Sequence, residues 1–458
     1  MSANKAEGGN LHILVPIIAA LCLITGFIGG ARFGPGLFIN SLENDNKGRN
    51  QQILTLNEAL GFLSSKYVEP MNKDSLVDVA LQEWISGLDP YSTYIKPQDL
   101  AWMNKRLSGS YVGIGIEFSI KNDSILVISV MENGPAAHAG ILAGDFLIDA
   151  GNNMGSNTSF QDAEILISKI RGKSGTKVKV KIFRPSLNKY ITLNCYRKEL
   201  NMPGVDPIVD FNKSVGYIRI KEFNAKTDQE FMLAMDSLFG KQNNQKDLIL
   251  DLRNNPGGYL EKSTHLLNQL IAESGKIMVS TKNKAGKETV YKTSGRPFFK
   301  PRRIVVLIDE QSASASEIVA GALQDHKRAI IIGRPSFGKG LVQGQFNLSN
   351  GGALKLTIAK FYTPSGKLIQ KPYKLGDTST VKGGISPDIS VPFASKDTLD
   401  KWVNKFLVQK GLSVDFRKNA LKDLKMVDNK KSFGTDAAIR KEFESDPFII
   451  AALAYLKK

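Results

Sequence analysis

The sequence predicts a multidomain α/β (α+β) protein. Its core is a mixed, largely parallel sheet flanked by helices, preceded by an inserted β-rich module and an N-terminal transmembrane helix. Three observations carry this. Beyond residue 200, apolar strands at 215–220, 247–252, 303–308 and 329–333 alternate with helical patterns at 227–239, 262–272 and 314–326. Strands apolar along their whole length must be covered on both faces, as in parallel sheets joined by helices. Between residues 104 and 198, short alternating strands and glycine turns replace that rhythm. Residues 13–31 form an uncharged apolar run of about 19 residues, enough to span a bilayer.

In chain order, the tail at 1–10 leads into an anchor at 11–33. A cleaved signal peptide is the competing reading, but the small-x-small exit around Gly29-Gly30-Ala31 is poorly formed. Leu21 before Cys22 also fits a lipoprotein cleavage site badly. The expectation is therefore a single-pass protein of the cell membrane, with its body outside the cytoplasm in a bacterial periplasm. Lys5 on one side and Arg32, Lys47 and Arg49 on the other leave the orientation unsettled by charge. A Gly-, Asn- and Asp-bearing tether follows at 34–50. Residues 51–103 hold two helices broken at Glu69-Pro70, then a turn at Leu88-Asp-Pro-Tyr.

Composition narrows the function. The 61 Lys and Arg residues against 44 Asp and Glu give a net charge of +17, but the basic residues are spread along the chain in short runs. Without a zinc-finger or aromatic RNA-binding signature, this describes a solvated basic surface near anionic lipid and not a nucleic-acid binder. Outside the apolar run only Cys195 remains, so no internal disulfide forms. No metal and no cofactor is expected.

The module at 104–198 begins with Ser110-Tyr-Val-Gly-Ile-Gly-Ile-Glu-Phe118, a glycine loop entering a strand. A strand at 125–130, Pro135-Ala-Ala-His-Ala-Gly140, Gly144-Asp145, a helix at 160–170 and an alternating strand at 177–183 follow. This order resembles a PDZ domain of the bacterial protease-associated type. The resemblance implies that the backbone of Val112, Gly113, Ile114 and Gly115 holds a peptide's terminal carboxylate while the peptide adds as a strand.

The core at 199–395 carries the candidate chemistry, and a charged helical extension occupies 396–458. Ser314-Ala-Ser-Glu317 matches a capping box, whose ordinary role is to start a helix. Here the serine also leaves a buried strand's C-terminal end, where ligand sites of α/β sheets gather. The helix it opens aims unpaired N–H groups at the same place, so the Ala315 N–H can receive an oxyanion formed by Ser314 attack. Ser312 and Ser316 share the pattern and stay open as alternatives. Asp251-Leu-Arg-Asn-Asn-Pro-Gly257-Gly258 ends the preceding strand, where two glycines can bring backbone donors close to a substrate.

Lys339 follows Ser314 by 25 residues, between Gly338 and Gly340. As a base it must fall from about 10.4 toward about 7–8, which burial among Phe337 and the glycines would cause. The four histidines (His12, His138, His265, His326) lack the look of a general base, and Asp325-His326 reads as a helix end. Gly333-x4-Gly338-Lys339 approaches a phosphate loop, but Gly340 stands where Ser or Thr would hold magnesium and a strand follows.

These motifs, with Leu88-Asp89-Pro90, Phe337-Gly-Lys-Gly-Leu-Val-Gln343 and Gly383-Gly-Ile-Ser-Pro-Asp388, resemble the C-terminal processing (tail-specific) peptidases over residues 55–395. That resemblance implies a cell-envelope serine endopeptidase that binds substrate C-termini through the PDZ domain. It places the nucleophile on Ser314, the general base on Lys339 and a lysine-orienting glutamine on Gln343. Ala315, Gly257 and Gly258 become the oxyanion hole, and Arg171 becomes a candidate relay from peptide binding to activation. In a fully extended strand Lys339 and Gln343 would stand about 13 Å apart, so Gly340 is expected to bend the chain. The implied partners are protein or peptide substrates with free C-termini, the membrane, and a second copy or an adaptor. A catalytically silent PDZ-type peptide-binding scaffold is the rival.

Overall fold

Strand residues in the core alternate between two buried clusters, which explains their unbroken apolar runs. In strand Asp247–Asp251, Leu248 and Leu250 join one cluster with Phe231, Leu267 and Val306. Ile249 joins the other, with Val305, Leu307 and Ile450. The sheet is thus covered on both faces.

The structure is a computed structural model describing residues 43–121, 124–151, 163–206, 209–211, 213–240, 246–373, 383–422, 424–426 and 436–457. The expected anchor at 11–33 lies outside them, and no helix among the described residues is long and apolar enough to cross a membrane. The chain divides into two compact units, Met1–Leu81 and Gln82–Lys458. In the first, helix Glu43–Lys66 begins inside the segment expected to be a tether. One interrupting glycine costs a helix about 1 kcal/mol, too little to stop one that continues well beyond it. The expected break at Pro70 falls before the next helix, Lys73–Ser86.

In the second unit the main sheet has seven strands. Their order is Ile389–Ser390, Ala329–Gly333, Ile304–Ile308, Asp247–Asp251, Val215–Arg219, Val209–Phe211, Leu424–Met426. The first five are parallel and the last two pair antiparallel. A separate antiparallel sheet gathers Thr93–Ile95, Ala353–Tyr362, Ile277–Asn283, Glu288–Lys292 and Leu341–Asn347. The Asn350-Gly351 hairpin expected from sequence joins two of these strands. Ile277–Asn283 and Glu288–Lys292 were not expected, because the first buries Met278, Val279 and Ser280 in succession and the second is mostly exposed, so neither shows an apolar alternation.

The segment from 396 onward is no appendage. Leu424–Met426 closes one edge of the main sheet, and helix Pro447–Leu456 packs almost wholly buried in its second cluster.

The β-rich module forms a five-stranded antiparallel sheet in chain order: Ile116–Lys121, Ser124–Val130, Phe146–Ala150, Lys177–Arg184, Lys189–Tyr196. Helices Pro135–Ala139 and Ala163–Ile170 accompany it. Strands Ser110–Gly113 and Lys198–Asn201 pair antiparallel, so the chain enters and leaves the module at one neck. That is the geometry of an insertion.

Candidate active site

Ser314 caps helix Ala315–Asp325 with φ 54° and ψ −111°, a positive-φ backbone that a side-chain-bearing residue adopts rarely. The neighbouring serines are spoken for. Ser312 Oγ donates to the Leu252 carbonyl (2.8 Å), and Ser316 Oγ donates to the Asn255 carbonyl (3.1 Å). Both are fully buried, whereas Ser314 is partly exposed, and its Oγ accepts the Glu317 N–H of the capping box while donating to no acceptor among the described residues. Tertiary bonding thus separates Ser314 from two serines that share its pattern in sequence.

Glu317 does more than cap the helix. Its Oε2 accepts the Ser314 N–H at 2.8 Å and also the Lys339 N–H at 2.9 Å. Oε1 accepts the Gly338 N–H (2.7 Å) and Ser336 Oγ (2.5 Å). One buried carboxylate therefore fixes the serine turn and the lysine loop against each other. Burial pushes this carboxyl up, while its donors pull it back.

Lys339 Nζ donates to Gln343 Oε1 at 2.9 Å, and Gln343 Nε2 donates to the Tyr91 carbonyl. Tyr91 is held by Asp89, which accepts the N–H groups of Tyr91 and Ser92 and the Ser92 hydroxyl. The bend that brings Lys339 to Gln343 differs from expectation. Gly340 has no positive φ; instead the strand register shifts between Val342 and Gln343. Gly340 is needed for space, because a Cβ there would stand 2.5 Å from the Gln370 nitrogen.

The Lys339 amine is pushed down from 10.5 to about 8, by burial first and then by the positive charge of Lys355, with Asp89 and Glu317 opposing. Phe337, expected to help bury it, is 42% exposed; the Tyr91 ring lies 5.0 Å from the amine instead. Lys339 Nζ and Ser314 Oγ are not hydrogen bonded to each other here. Nucleophile–base bonds in enzymes are often long without substrate and tighten when it binds.

The glycine turn closes on the serine. A Cβ on Gly257 would lie 2.7 Å from the Ala313 carbonyl oxygen, 2.8 Å from Ser314 Cβ and 2.9 Å from the Ala315 nitrogen. Asn255 pins the turn by accepting the Ala313 N–H (3.0 Å) at its carbonyl. The Gly257 N–H is committed to Asn255 Oδ1 at 2.8 Å. The open donors at the turn are therefore those of Ala315 and Gly258, which find no acceptor among the described residues.

In the module, Val112, Gly113, Ile114 and Gly115 are all buried, and Gly115 takes φ 81°. The Ile114 and Gly115 carbonyls are occupied by the Ala136 and Met131 N–H groups. Strand Ile116–Lys121, which follows the loop, is an edge of its sheet and exposes Phe118 and Ile120, while Ile165 is exposed on helix Ala163–Ile170. Arg171 makes no bond to Ser314 or Lys339 among the described residues; its guanidinium stacks 3.7 Å over the Trp102 ring. Arg197 steadies that corner by donating to the Lys169 and Ile170 carbonyls. Among the described histidines, His138 bonds the Gly134 carbonyl, His265 bonds Asp228 and His326 bonds the Ile277 carbonyl, all away from the site.

Sequence reasoning missed Tyr91, the second role of Glu317, and Trp102. Only Asp89 had a signal, the Leu88-Asp89-Pro90 turn.

The family model described as Peptidase family S41 matches residues 214–391, and that of the PDZ domain matches residues 112–195. The carboxy-terminal-processing protease of Bartonella bacilliformis is 32% identical over 370 residues, spanning 80% of this chain and 81% of that protein. The carboxy-terminal processing protease CtpB of Bacillus subtilis is 31% identical over 392 residues, spanning 82% and 77%. Among solved structures, the photosystem II D1 C-terminal processing protease is 26% identical, with a TM-score of 0.46 over 74% of this chain and 88% of that one.

Proposed function

The chain belongs to the carboxy-terminal processing proteases of peptidase family S41, and we propose that this serine-type peptidase takes substrate C-termini on its PDZ domain and cuts nearby through a Ser314/Lys339 dyad. The observation that carries the dyad is the shared Glu317 oxygen. It ties both backbones together, beside a lysine amine held near 8 and a serine hydroxyl whose proton has no acceptor among the described residues.

In the proposed reaction the neutral Lys339 amine accepts the Ser314 proton as Oγ attacks the scissile carbonyl. The Ala315 and Gly258 N–H groups face the oxyanion. Lys339 then returns the proton to the leaving amine, and water, activated by the same amine, releases the acyl group from Ser314. Gln343 positions the amine throughout. At the module, the Val112–Gly115 backbone takes the terminal carboxylate and the edge strand Ile116–Lys121 pairs with the peptide, whose apolar side chains meet Phe118, Ile120 and Ile165. An anchor at 11–33 would hold this machinery at the outer face of a bacterial cell membrane.

Incubating the full chain with a disordered test protein, and mapping cuts by mass, tests the reading. Ser314→Ala and Lys339→Ala are each expected to lower turnover by roughly a thousandfold or more, with circular dichroism unchanged. Full activity in either variant rejects the dyad. Binding without turnover in the wild-type chain points to the scaffold.

A further inference from the structure

Lys355 lies on strand Ala353–Tyr362, where nothing in its alternating sequence marks it as functional. Its cross-strand partners are Thr93 on one side and Gln345 on the other. Two residues on, Thr357 stands opposite Gln343. Residues opposite each other in an antiparallel pair, and residues two apart along a strand, share a face. Lys355 therefore projects from the same side of the sheet as Gln343, whose Oε1 holds the Lys339 amine at 2.9 Å.

Lysines in such positions usually reach solvent or meet a carboxylate. Lys355 is half-buried, and its amine makes no ion pair or hydrogen bond among the described residues. Its charged neighbour is Arg106, on helix Pro97–Leu107, whose own anion is Glu222 at 3.8 Å. The charged groups facing Lys339 are Lys355 from the antiparallel sheet, Asp89 from the turn before it and Glu317 from the serine helix. Asp89 is engaged by Tyr91 and Ser92, and Glu317 by four donors. Lys355 is the cation in that set.

We propose that Lys355 is a positioning residue for the reaction, a positive charge that acts through Lys339 from the shared sheet face. The inference rests on the Ser314/Lys339 reading. A like charge disfavours the ammonium form of Lys339, so more of the amine stands ready to accept the serine proton at neutral pH. This agrees with the direction in which Lys355 moves that amine. Burial first, and then the charge of Arg106, lower Lys355 itself.

The test is the pH dependence of acylation of the full chain by a serine-directed fluorophosphonate, for wild type, Lys355→Met, Lys355→Arg and Lys339→Ala. Removing the charge raises the Lys339 midpoint. The Lys355→Met profile should shift upward by roughly half to one pH unit, with a roughly three- to tenfold slower rate at pH 7. Lys355→Arg, which keeps the charge, should restore the wild-type midpoint. Equal midpoints in wild type and Lys355→Met overturn the proposal. So does a Lys355→Met effect confined to KM for peptides with a free carboxylate, which would make the residue a substrate contact. If Lys339→Ala acylates as fast as wild type, the dyad itself fails, an outcome separate from either of these.

Discussion

At the scale of the residue, the site depends on whether Lys339 can shed its proton. With the folded amine near 8 and the unfolded one near 10.5, the unfolded chain binds the extra proton between those values. Stability contributed by this group is fully present above the unfolded value and is lost as pH falls through the folded one. Lys339→Met should therefore be more stable than wild type at pH 7, by about 1 kcal/mol after allowing for partial exposure, with the gain vanishing toward pH 10. Urea unfolding at both pH values measures this, and a constant difference would contradict it. Gly257 makes the complementary case. Its φ of 99° and the crowding of its missing Cβ by Ala313, Ser314 and Ala315 leave no room for a side chain. Gly257→Ala should cost activity by roughly a hundredfold or more, read as kcat with peptide substrate, because it displaces the serine turn. Ser314, Lys339 and Gly257 were legible from the glycine and serine spacing. The local pattern left Ser312 and Ser316 open and only the family resemblance favoured Ser314, because what occupies the other two hydroxyls is carbonyls of residues about 60 positions away.

At the scale of the element, the C-terminal helix is bolted to the loop that carries the glycine turn. Arg253 bonds Asp251 on its own strand end and Asp446 at 2.8 Å, the residue that caps helix Pro447–Leu456, and lies 4.8 Å over the Phe448 ring. Tyr217 donates to the same Asp251 at 2.8 Å. Asp251 is fully buried, so removing Arg253 strands a charge. Arg253→Ala should cost about 3–5 kcal/mol by denaturant titration, against less than about 1 kcal/mol for an exposed pair. A loss at the exposed-pair level would show the latch to be incidental. Most strand and helix positions in the core followed from apolar periodicity. The helices of the tail followed too, but not its short edge strand Leu424–Met426, which has no period to detect, nor its packing, whose contacts are distant in sequence. The Val342/Gln343 register shift was equally invisible, being set by pairing with the neighbouring strand.

At the scale of the whole molecule, a peptide-binding module is inserted through the neck of strands Ser110–Gly113 and Lys198–Asn201 into a protease core. A peptide ending in a free carboxylate should bind the full Ser314→Ala chain at least about tenfold more tightly than its C-terminal amide, read by fluorescence anisotropy. Equal affinities would remove the loop at Val112–Gly115 as a carboxylate site. The full chain should also sediment with membranes through an alkaline wash, and release by that wash would contradict an anchor at 11–33. The central claim is that one amine stays uncharged where a serine can use it. Titrating the lysine side chains of the full protein by NMR, with Lys339 assigned by its loss in Lys339→Met, tests this most directly. A midpoint near 8 is the predicted result; a midpoint near the free-lysine value of about 10.4 would contradict it.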